Sequence, residues 1–376
     1  MPLTYHETPL SVVFMGTPEM AARVLLSLFS LHESKTVDLK CVYTKLDKRH
    51  GKKAQMLKSP CHVIADKYNI LVRTPGGFKN NIKELAFIKS LNPDLIAVVA
   101  YGLILPPELL TIPKYGTINL HPSLLPDLRG PSPIHYAILE NLKFTGVSIM
   151  ALDEGIDTGP LLAQQKLPIG KDEYFKDLYD RLSDSGADLL TQTIRTIERF
   201  RNNVYSYAYP QPLLEGNIYM NYTEQIGLNT QKIDFLLDVP NRIYSKIRAF
   251  SDSGGAVFTL NNKIIKILKA KLVVDGSPRF FKETFDETNG RYTYRDYIDG
   301  ANSDILKDIK SNEEKLFFKD NKPGCIVSAN KKGMLIKTVK AGVYINLLEL
   351  KPEGKRSMGH VDFINGFRIK PGFIIR

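Results

Sequence analysis

Short apolar runs alternate with amphipathic stretches along the first half of the chain. Continuous apolar runs are typical of buried parallel strands, and apolar positions that recur every three or four residues are typical of helices that cover a sheet. Their alternation favours an α/β fold with a doubly wound, mostly parallel sheet. The pattern predicts strands over residues 11–15, 39–43 and 95–100 and helices over residues 60–68, 82–91 and 174–200.

The turn after the first strand predicts the start of a helix. In Gly16-Thr17-Pro18-Glu19, Thr17 is suited to cap the helix and Pro18 to occupy its first position. A strand, a glycine turn and a helix open many nucleotide-binding folds. The dinucleotide fingerprint G-x-G-x-x-G, however, requires two further glycines that this turn lacks. The sequence therefore does not predict an NAD site.

Beyond residue 207 the pattern changes to short segments in which apolar and polar residues alternate. Such segments favour a small antiparallel β-barrel, which we predict to be OB-like. The predicted strands cover residues 256–260, 264–268, 324–329, 333–339 and 343–350. We therefore predict an N-terminal α/β domain over 1–207, a proline-punctuated linker over 208–230, and a C-terminal barrel over 231–376 with a polar, partly disordered insertion at 277–322.

Polar residues suited to catalysis lie between residues 116 and 159. Asn119 and His121 are two positions apart on a predicted strand, so their side chains point to the same face. Pro122 cannot donate a ladder hydrogen bond, so we expect the strand to end at His121. That places the ring at the carboxyl edge, where α/β sheets bind ligands. Asp157 follows on a glycine-flanked loop.

An amide, an imidazole and a carboxylate together suit acyl transfer. The amide NH2 and an imidazolium N–H can donate to an oxygen that becomes negative in a tetrahedral intermediate. Asp157 can hold His121 in its charged form or relay a proton through water. The alternative is a structural histidine on a strand. Serine hydrolysis is disfavoured, because a G-x-S-x-G elbow is absent and Ser123 follows His121 too closely for a triad.

Charge and cysteine content narrow the function classes. Residues 211–376 contain 27 Lys and Arg but 19 Asp and Glu, and so carry most of the formal charge of +11. This asymmetry suits nucleic acid as a partner, with solubility as the alternative explanation. The three cysteines lack CxxC spacing, so we predict neither a disulfide framework nor a metal site, and expect a reducing compartment. No apolar run approaches the roughly 20 residues that a membrane span needs, and residues 1–10 resemble neither a signal peptide nor a typical transit peptide.

The segment around His121 resembles a family signature. The stretch NLHPSLLP at residues 119–126, followed by DEGIDTG at 153–159, is similar to the motif of the 10-formyltetrahydrofolate-dependent formyltransferases. Other stretches look like the methionyl-tRNA formyltransferases of that family: LRGPSPI at 128–134, TGVSIM at 145–150, IRAF at 247–250, LELKPEGKR at 348–356 and DFING at 362–366. The resemblance covers nearly the whole chain and implies a Rossmann-like catalytic domain, a C-terminal tRNA-binding barrel, and formylation of initiator methionyl-tRNA.

The resemblance also assigns site residues. It implies that Asn119, His121 and Asp157 are catalytic. It implies that the cosubstrate 10-formyltetrahydrofolate is bound by Val99, Tyr101, Gly102, Ser123, Leu124, Leu125, Pro126, Asp153 and Gly155. A pterin ring needs backbone donors and acceptors at strand ends beside apolar walls. We further predict a cis peptide bond before Pro126.

A tRNA partner is implied by basic residues in two places. The loop at residues 48–53 is similar to the tRNA-contacting insertion of the family, although a solvated charged face is the alternative. His50 stands where the family usually has Arg directly before Gly-Lys-Lys, so we expect acceptor-stem discrimination to differ. The predicted tRNA-binding residues are Lys48, Arg49, Lys52, Lys53, Lys355 and Arg356.

Three other interpretations remain open. Glycinamide ribonucleotide formyltransferases lack a basic C-terminal domain, and sugar-nucleotide formyltransferases do not need the basic loop. A catalytically inactive RNA-binding protein would have no need of His121 opposite Asp157. The segment at 277–322 is longer than in compact bacterial members and looks more like a fungal mitochondrial form. From this resemblance we expect the mitochondrial matrix, with the bacterial cytoplasm as the alternative location. We also expect a monomer with no membrane partner.

Overall fold

The computed structural model describes residues 8–46, 48–50, 55–212, 222–274, 284–286, 291–293 and 322–375. At residues 48–50, 55–56, 284–286 and 291–293 it describes the backbone alone. The described residues form two compact units. The first unit consists of the described residues within 1–133, 144–168 and 179–224, and the second of those within 134–143, 169–178 and 225–376. The boundary at residue 224 falls inside the predicted linker.

The first unit contains a seven-stranded sheet. Its strands are β1 Leu10–Gly16, β2 Val37–Tyr43, β5 Val72–Arg73, β6 Leu95–Val99, β7 Thr117–His121, β8 Phe144–Ala151 and β9 Leu161–Pro168, and a separate ribbon pairs β3 Lys48–His50 with β4 Gln55–Leu57. The strand order is β5-β2-β1-β6-β7-β8-β9. The pairings from β5 to β7 are parallel, and β8 pairs antiparallel with both β7 and β9. This confirms the prediction of a mostly parallel α/β sheet.

Helices cover this sheet because the central strands are apolar on both faces. Every residue of β6 is buried, and β1 has one residue that is not fully buried. Burial of such side chains stabilises the fold by roughly 25 cal/mol per Å² of apolar surface. The helices of this region are α1 Glu19–Glu33, α2 Pro60–Lys67, α3 Ile82–Ser90, α4 Pro107–Leu110, α5 Pro133–Leu139 and α6 Phe175–Phe200, with α5 and α6 each divided between the two units.

The start of α1 differs from the prediction. The helix begins at Glu19 with Pro18 in the N-cap position, and no side chain caps it. The Thr17 hydroxyl instead donates to the Tyr101 carbonyl at 3.1 Å and accepts from the Lys45 N–H at 3.3 Å. The prediction of Thr17 as the cap was wrong, because its hydroxyl joins the segments that follow β2 and β6, the two strands on either side of β1.

A buried ion pair fastens α3 to the sheet. Glu84 is 6% exposed and accepts from Tyr43 Oη at 2.7 Å, from Arg73 Nε at 2.9 Å and from Arg73 Nη2 at 2.6 Å. The Arg73 hydrogen bonds lower the pKa of the Glu84 carboxyl below its usual value of 4.5. A carboxyl whose pKa is lowered by folding stabilises the folded state above its unfolded pKa, and this contribution is lost as the pH falls through the folded value.

Replacing Glu84 with Gln is therefore expected to lower the free energy of unfolding near neutral pH by about 1–2 kcal/mol, a value reduced because Arg73 is partly exposed. The difference from the unaltered protein should shrink in acid. Urea unfolding followed by circular dichroism across the pH range measures it. Glu33→Gln, at the exposed end of α1, is the matched control and should change little. A deficit that stays constant with pH would contradict the ion-pair account.

The second unit contains a six-stranded antiparallel sheet, as predicted for the C-terminal region. Its order is β10-β11-β16-β15-β14, with β17 paired to β16. Within the described residues no strand pairing joins β10 to β14. Its strands are β10 Ala256–Leu260, β11 Lys263–Val274, β14 Ile326–Asn330, β15 Gly333–Lys337, β16 Val343–Pro352 and β17 Met358–Gly359, and its helices are α7 Leu228–Gln231, α8 Pro240–Phe250 and α9 His360–Phe367.

Most of the predicted insertion at 277–322 lies outside the described residues. Within it, β12 Thr284–Asp286 pairs antiparallel with β13 Arg291–Thr293.

Across the described ranges, no helix is both long and apolar enough to cross a membrane. In the same ranges, no group of three or more His, Cys, Asp or Glu could hold a metal ion. The three cysteines are buried and form no disulfide with one another.

Candidate active site

The candidate site begins at the carboxyl end of β7. This strand ends at His121, as predicted from the proline that follows. β7 pairs in parallel with β6 on one side and antiparallel with β8 on the other. Asn119 is partly exposed, and its side-chain amide makes no hydrogen bond to any residue that the structure describes. The amide is therefore available to a ligand.

His121 is held at both ring nitrogens. The residue is 4% exposed, its Nδ1 lies 3.4 Å from Asp157 Oδ2, and its Nε2 lies 3.0 Å from the Leu128 carbonyl oxygen. The Leu128 contact is a hydrogen bond, and the Asp157 carboxylate lies within ion-pair distance of Nδ1. A ring placed between two acceptors is suited to relay a proton.

The surroundings of the ring bear on the role expected of it. The sequence predicts an imidazolium N–H beside the Asn119 amide, both aimed at a developing oxyanion. In this conformation both His121 nitrogens face protein acceptors, whereas the Asn119 amide has no hydrogen-bond partner among the described residues.

Asp157 reaches His121 from an unusual backbone conformation. Its φ is +53°, in the left-handed region that non-glycine residues seldom occupy. The carboxylate is 17% exposed, and its Oδ2 also accepts the Gly130 N–H at 2.8 Å. The segment that contains Gly130 has two further residues with positive φ, Leu128 at +58° and Gly130 at +99°. Three positive-φ residues thus shape the backbone that brings the carboxylate and the imidazole together.

The segment of residues 123–126 is fixed by a polar network below the site. The Ser148 hydroxyl donates to the Ser123 carbonyl at 2.7 Å and accepts the Leu125 N–H at 3.1 Å. Gln164 Nε2 donates to the Leu125 carbonyl at 2.9 Å and to Ser148 Oγ at 2.8 Å. The Leu125–Pro126 peptide bond is cis, as predicted. The sequence analysis assigned no role to Ser148, although it lies in the TGVSIM stretch, or to Gln164, which stands beside a second glutamine on β9.

The other predicted folate residues lie at two loop edges of the first unit. Val99 and Tyr101 are buried, whereas Gly102 is exposed with φ +74°, and the Lys45 ammonium lies where a Cβ on that glycine would stand. In the loop before Asp157, the Asp153 carboxylate accepts the Gly155 N–H at 3.1 Å and the Thr158 hydroxyl at 2.8 Å.

The predicted tRNA-binding residues are only partly visible. Lys48 and Arg49 lie on β3, where the structure describes backbone alone, and Lys52 and Lys53 lie outside the described residues. In the second unit Lys355 and Arg356 are exposed in the turn between β16 and β17, with Lys355 Nζ 5.3 Å from the centre of the Phe367 ring.

Comparison with known proteins places this geometry in a family. The formyl transferase family model matches residues 10–194, and the model of the formyl transferase C-terminal domain matches residues 225–368. The chain is 41% identical to methionyl-tRNA formyltransferase from Wolbachia pipientis over 260 residues, covering 69% of this chain and 80% of that protein. It is 33% identical to methionyl-tRNA formyltransferase from Caldicellulosiruptor saccharolyticus over 366 residues, covering 97% and 100%.

Solved structures share the fold at lower identity. HypX from Aquifex aeolicus in complex with tetrahydrofolic acid aligns with a TM-score of 0.56 at 14% identity, covering 95% of this chain and 47% of that one. An N-formyltransferase from Helicobacter canadensis, in complex with folinic acid and dTDP-3-aminofucose, aligns with a TM-score of 0.55 at 20% identity, covering 90% and 98%. With both family domains matched and a relative aligned over almost its whole length, the chain belongs to the methionyl-tRNA formyltransferase family.

Proposed function

We propose that this formyltransferase moves the formyl group of 10-formyltetrahydrofolate to the α-amine of initiator methionyl-tRNA, giving N-formylmethionyl-tRNA for translation initiation. The observation that carries the proposal is the His121–Asp157 pair beside the Asn119 amide at the carboxyl edge of the sheet. Relatives that are named methionyl-tRNA formyltransferase and align along 97% of the chain support the acceptor.

In the proposed mechanism the neutral amine attacks the formyl carbon, and a C–N bond forms as the carbonyl oxygen becomes negative. Asn119 donates its side-chain amide to that oxygen, where a fixed donor in a site shielded from water is most effective. His121, oriented by Asp157 at Nδ1, releases the Leu128 carbonyl and supplies a proton from Nε2 to N10 as the bond between N10 and the formyl carbon breaks. The amine loses the balancing proton, which recharges the imidazole.

The folate donor is proposed to lie between the loop edges around Gly102 and Asp153. Support comes from the exposure of Gly102 and Gly155 and from the burial of Val99 and Tyr101. Leu124 is the partly exposed member of the predicted 123–126 set, whereas Ser123 and Leu125 are buried. We propose that these two act by shaping the backbone of the site.

The tRNA is proposed to contact the basic C-terminal region. Residues 331–376 hold 10 Lys and Arg against 3 Asp and Glu, and Lys355 and Arg356 are exposed among them. Neutralising a phosphate releases counterions, so each contact adds to the salt dependence of binding. The basic loop at residues 48–53 is proposed as the second contact.

Replacing Lys355 and Arg356 together with Ala is expected to raise the Michaelis constant for tRNA with little change in turnover, and to reduce the salt slope of binding by about 1–2. Filter binding over a range of salt concentrations measures the slope. The double variant Lys83→Ala/Lys89→Ala removes the same charge from the exposed face of α3 and is the control. If both double variants lost the same tRNA affinity and salt slope, the effect would come from the net charge of the protein and not from contacts of Lys355 and Arg356.

Location and assembly are also proposed from the family resemblance. The length of the 277–322 segment supports a fungal mitochondrial form, acting as a monomer in the matrix. Fractionation of cells that express the tagged chain, with light scattering on the purified protein, tests both. Recovery in the cytosol would reject the location, and a defined dimer would reject the monomer.

Acceptor competition tests the proposed function. Labelled 10-formyltetrahydrofolate is supplied with initiator methionyl-tRNA, elongator methionyl-tRNA, glycinamide ribonucleotide or a dTDP-amino sugar. Transfer is expected to the initiator tRNA alone. Transfer to one of the small acceptors would assign the chain to another reaction of the fold, and salt-sensitive tRNA binding without transfer would indicate a binding protein.

A further inference from the structure

Gln211 sits between the two segments that build the catalytic ion pair. Its side-chain Nε2 donates to the main-chain carbonyls of Asp157 and Gly159, each at 2.8 Å. Its Oε1 accepts from Arg129, at 3.1 Å from Nε and 2.6 Å from Nη2. The Gln211 side-chain NH2 therefore donates both of its hydrogens to the loop that carries Asp157, and the Gln211 side-chain oxygen accepts from the Arg129 guanidinium.

Arg129 belongs to the segment that holds the other half of the pair. The residue before it, Leu128, offers the carbonyl that His121 Nε2 contacts at 3.0 Å, and the residue after it, Gly130, donates its N–H to Asp157 Oδ2 at 2.8 Å. The Arg129–Gln211 contact thus bridges the backbone that fixes the imidazole and the backbone that presents the carboxylate.

The bridged backbone is conformationally demanding. Leu128, Gly130 and Asp157 all have positive φ, and for the two non-glycine residues this region is sparsely populated. Such conformations persist where surrounding contacts over-determine them. The paired bonds from Gln211 to the carbonyls of Asp157 and Gly159 supply that constraint on the loop, because two carbonyls must face one amide group at the same time.

We propose that Gln211 is a positioning residue for formyl transfer, acting through Asp157 on the orientation of the His121 ring. The inference rests on the proposed function for its kinetic readout. Arg129 holds the Gln211 side-chain oxygen. The centre of the Tyr222 ring lies 5.7 Å from the Arg129 guanidinium carbon. Gln211 itself touches neither reacting atom, so it positions a catalytic group and is not one.

The substitution that tests this is Gln211→Glu. Glutamate keeps an acceptor for Arg129 and gains an ion pair with it, but it places a carboxylate oxygen against two carbonyl oxygens where an NH2 donated. The expected result is a fall in turnover on the order of 10²-fold, because small misplacements of catalytic groups have effects of that size. The Michaelis constant for tRNA should change by less than about threefold, since the substitution acts on the orientation of the catalytic pair and not on the proposed phosphate contacts. Gln192→Glu, on the exposed face of α6, is the matched control and should behave as the unaltered protein.

A double-mutant cycle separates positioning from general destabilisation. In an Asp157→Ala background, Gln211→Glu should lower turnover by less than about twofold, because residues that act as a unit are strongly non-additive. Full additivity would overturn the proposal, as would unaltered turnover in Gln211→Glu alone. If Gln211→Glu does not fold, Arg129→Lys replaces it in the double-mutant cycle, because a lysine cannot donate two guanidinium hydrogen bonds to the Gln211 oxygen. The same non-additivity with Asp157→Ala is expected.

Hydrogen exchange gives a readout that does not depend on the reaction. Mass spectrometry of peptides that cover residues 152–160 should show faster amide exchange in Gln211→Glu than in Gln192→Glu. Unchanged exchange would count against the proposal even if turnover fell. Absence of formyl transfer by the unaltered chain would instead reject the proposed function, and faster loop exchange in Gln211→Glu would still support Gln211 as the residue that holds Asp157.

Discussion

Replacing His121 with Ala is expected to lower the turnover of formyl transfer by about 10³-fold, within the range for loss of a general acid. The ring is nearly buried and is held on one side by the Asp157 carboxylate and on the other by the Leu128 carbonyl. Alanine removes the proton donor and leaves the carboxylate of Asp157 facing an empty space. Single-turnover transfer of labelled formyl measures the rate, and filter binding measures affinity for the tRNA.

Affinity for tRNA should change by less than about threefold in the same variant, since the proposed phosphate contacts lie elsewhere on the chain. His62→Ala is the control, because that histidine lies on α2 and contacts Asp66. A comparable loss of turnover and tRNA affinity in His121→Ala would mean that the substitution disturbs the fold and not the chemistry.

Gly159→Ala is expected to disable the protein by a different route. An added Cβ would lie 1.8 Å from the Ala151 carbonyl oxygen and 3.0 Å from its carbon, both backbone atoms of β8. Because no side-chain rotation can relieve this contact, the loop that carries Asp157 must shift. We expect the free energy of unfolding to fall by about 1–3 kcal/mol or more, and turnover to fall further than that loss explains.

Urea unfolding followed by circular dichroism, together with turnover at a temperature where the variant stays folded, separates the two effects. Gly76→Ala is the control, since a Cβ there would meet no atom within 4 Å. If the folded Gly159→Ala protein kept normal turnover, the loop would tolerate displacement, and the account of how Asp157 is held would fail.

The sequence was most informative where local rules decide the structure. Pro122 cannot pair in a ladder, and β7 does end at His121. The apolar run at residues 95–99 forms the buried central strand β6. The family motif also led to the cis Leu125–Pro126 bond. Each of these features depends on residues that are adjacent along the chain.

The contacts that the sequence does not predict join residues distant along the chain. The prolines between Ala208 and Pro212 interrupt regular structure and so predict the start of a linker. In the fold, Tyr209 exchanges backbone hydrogen bonds with Leu161, and Gln211 holds the loop 52 to 54 residues earlier in the chain. Proline content restricts φ and removes donors, but it carries no information about such partners. Thr17 was misassigned for the same reason, since its partner Tyr101 lies 84 residues away.

The most direct test of the central claim is transfer of labelled formyl from 10-formyltetrahydrofolate to initiator methionyl-tRNA by the unaltered, purified chain. The account predicts multiple turnovers, formation of N-formylmethionyl-tRNA, and a rate that falls to near background in His121→Ala. No transfer to this tRNA under conditions in which the protein is folded and binds it, or transfer at an undiminished rate by His121→Ala, would contradict the account.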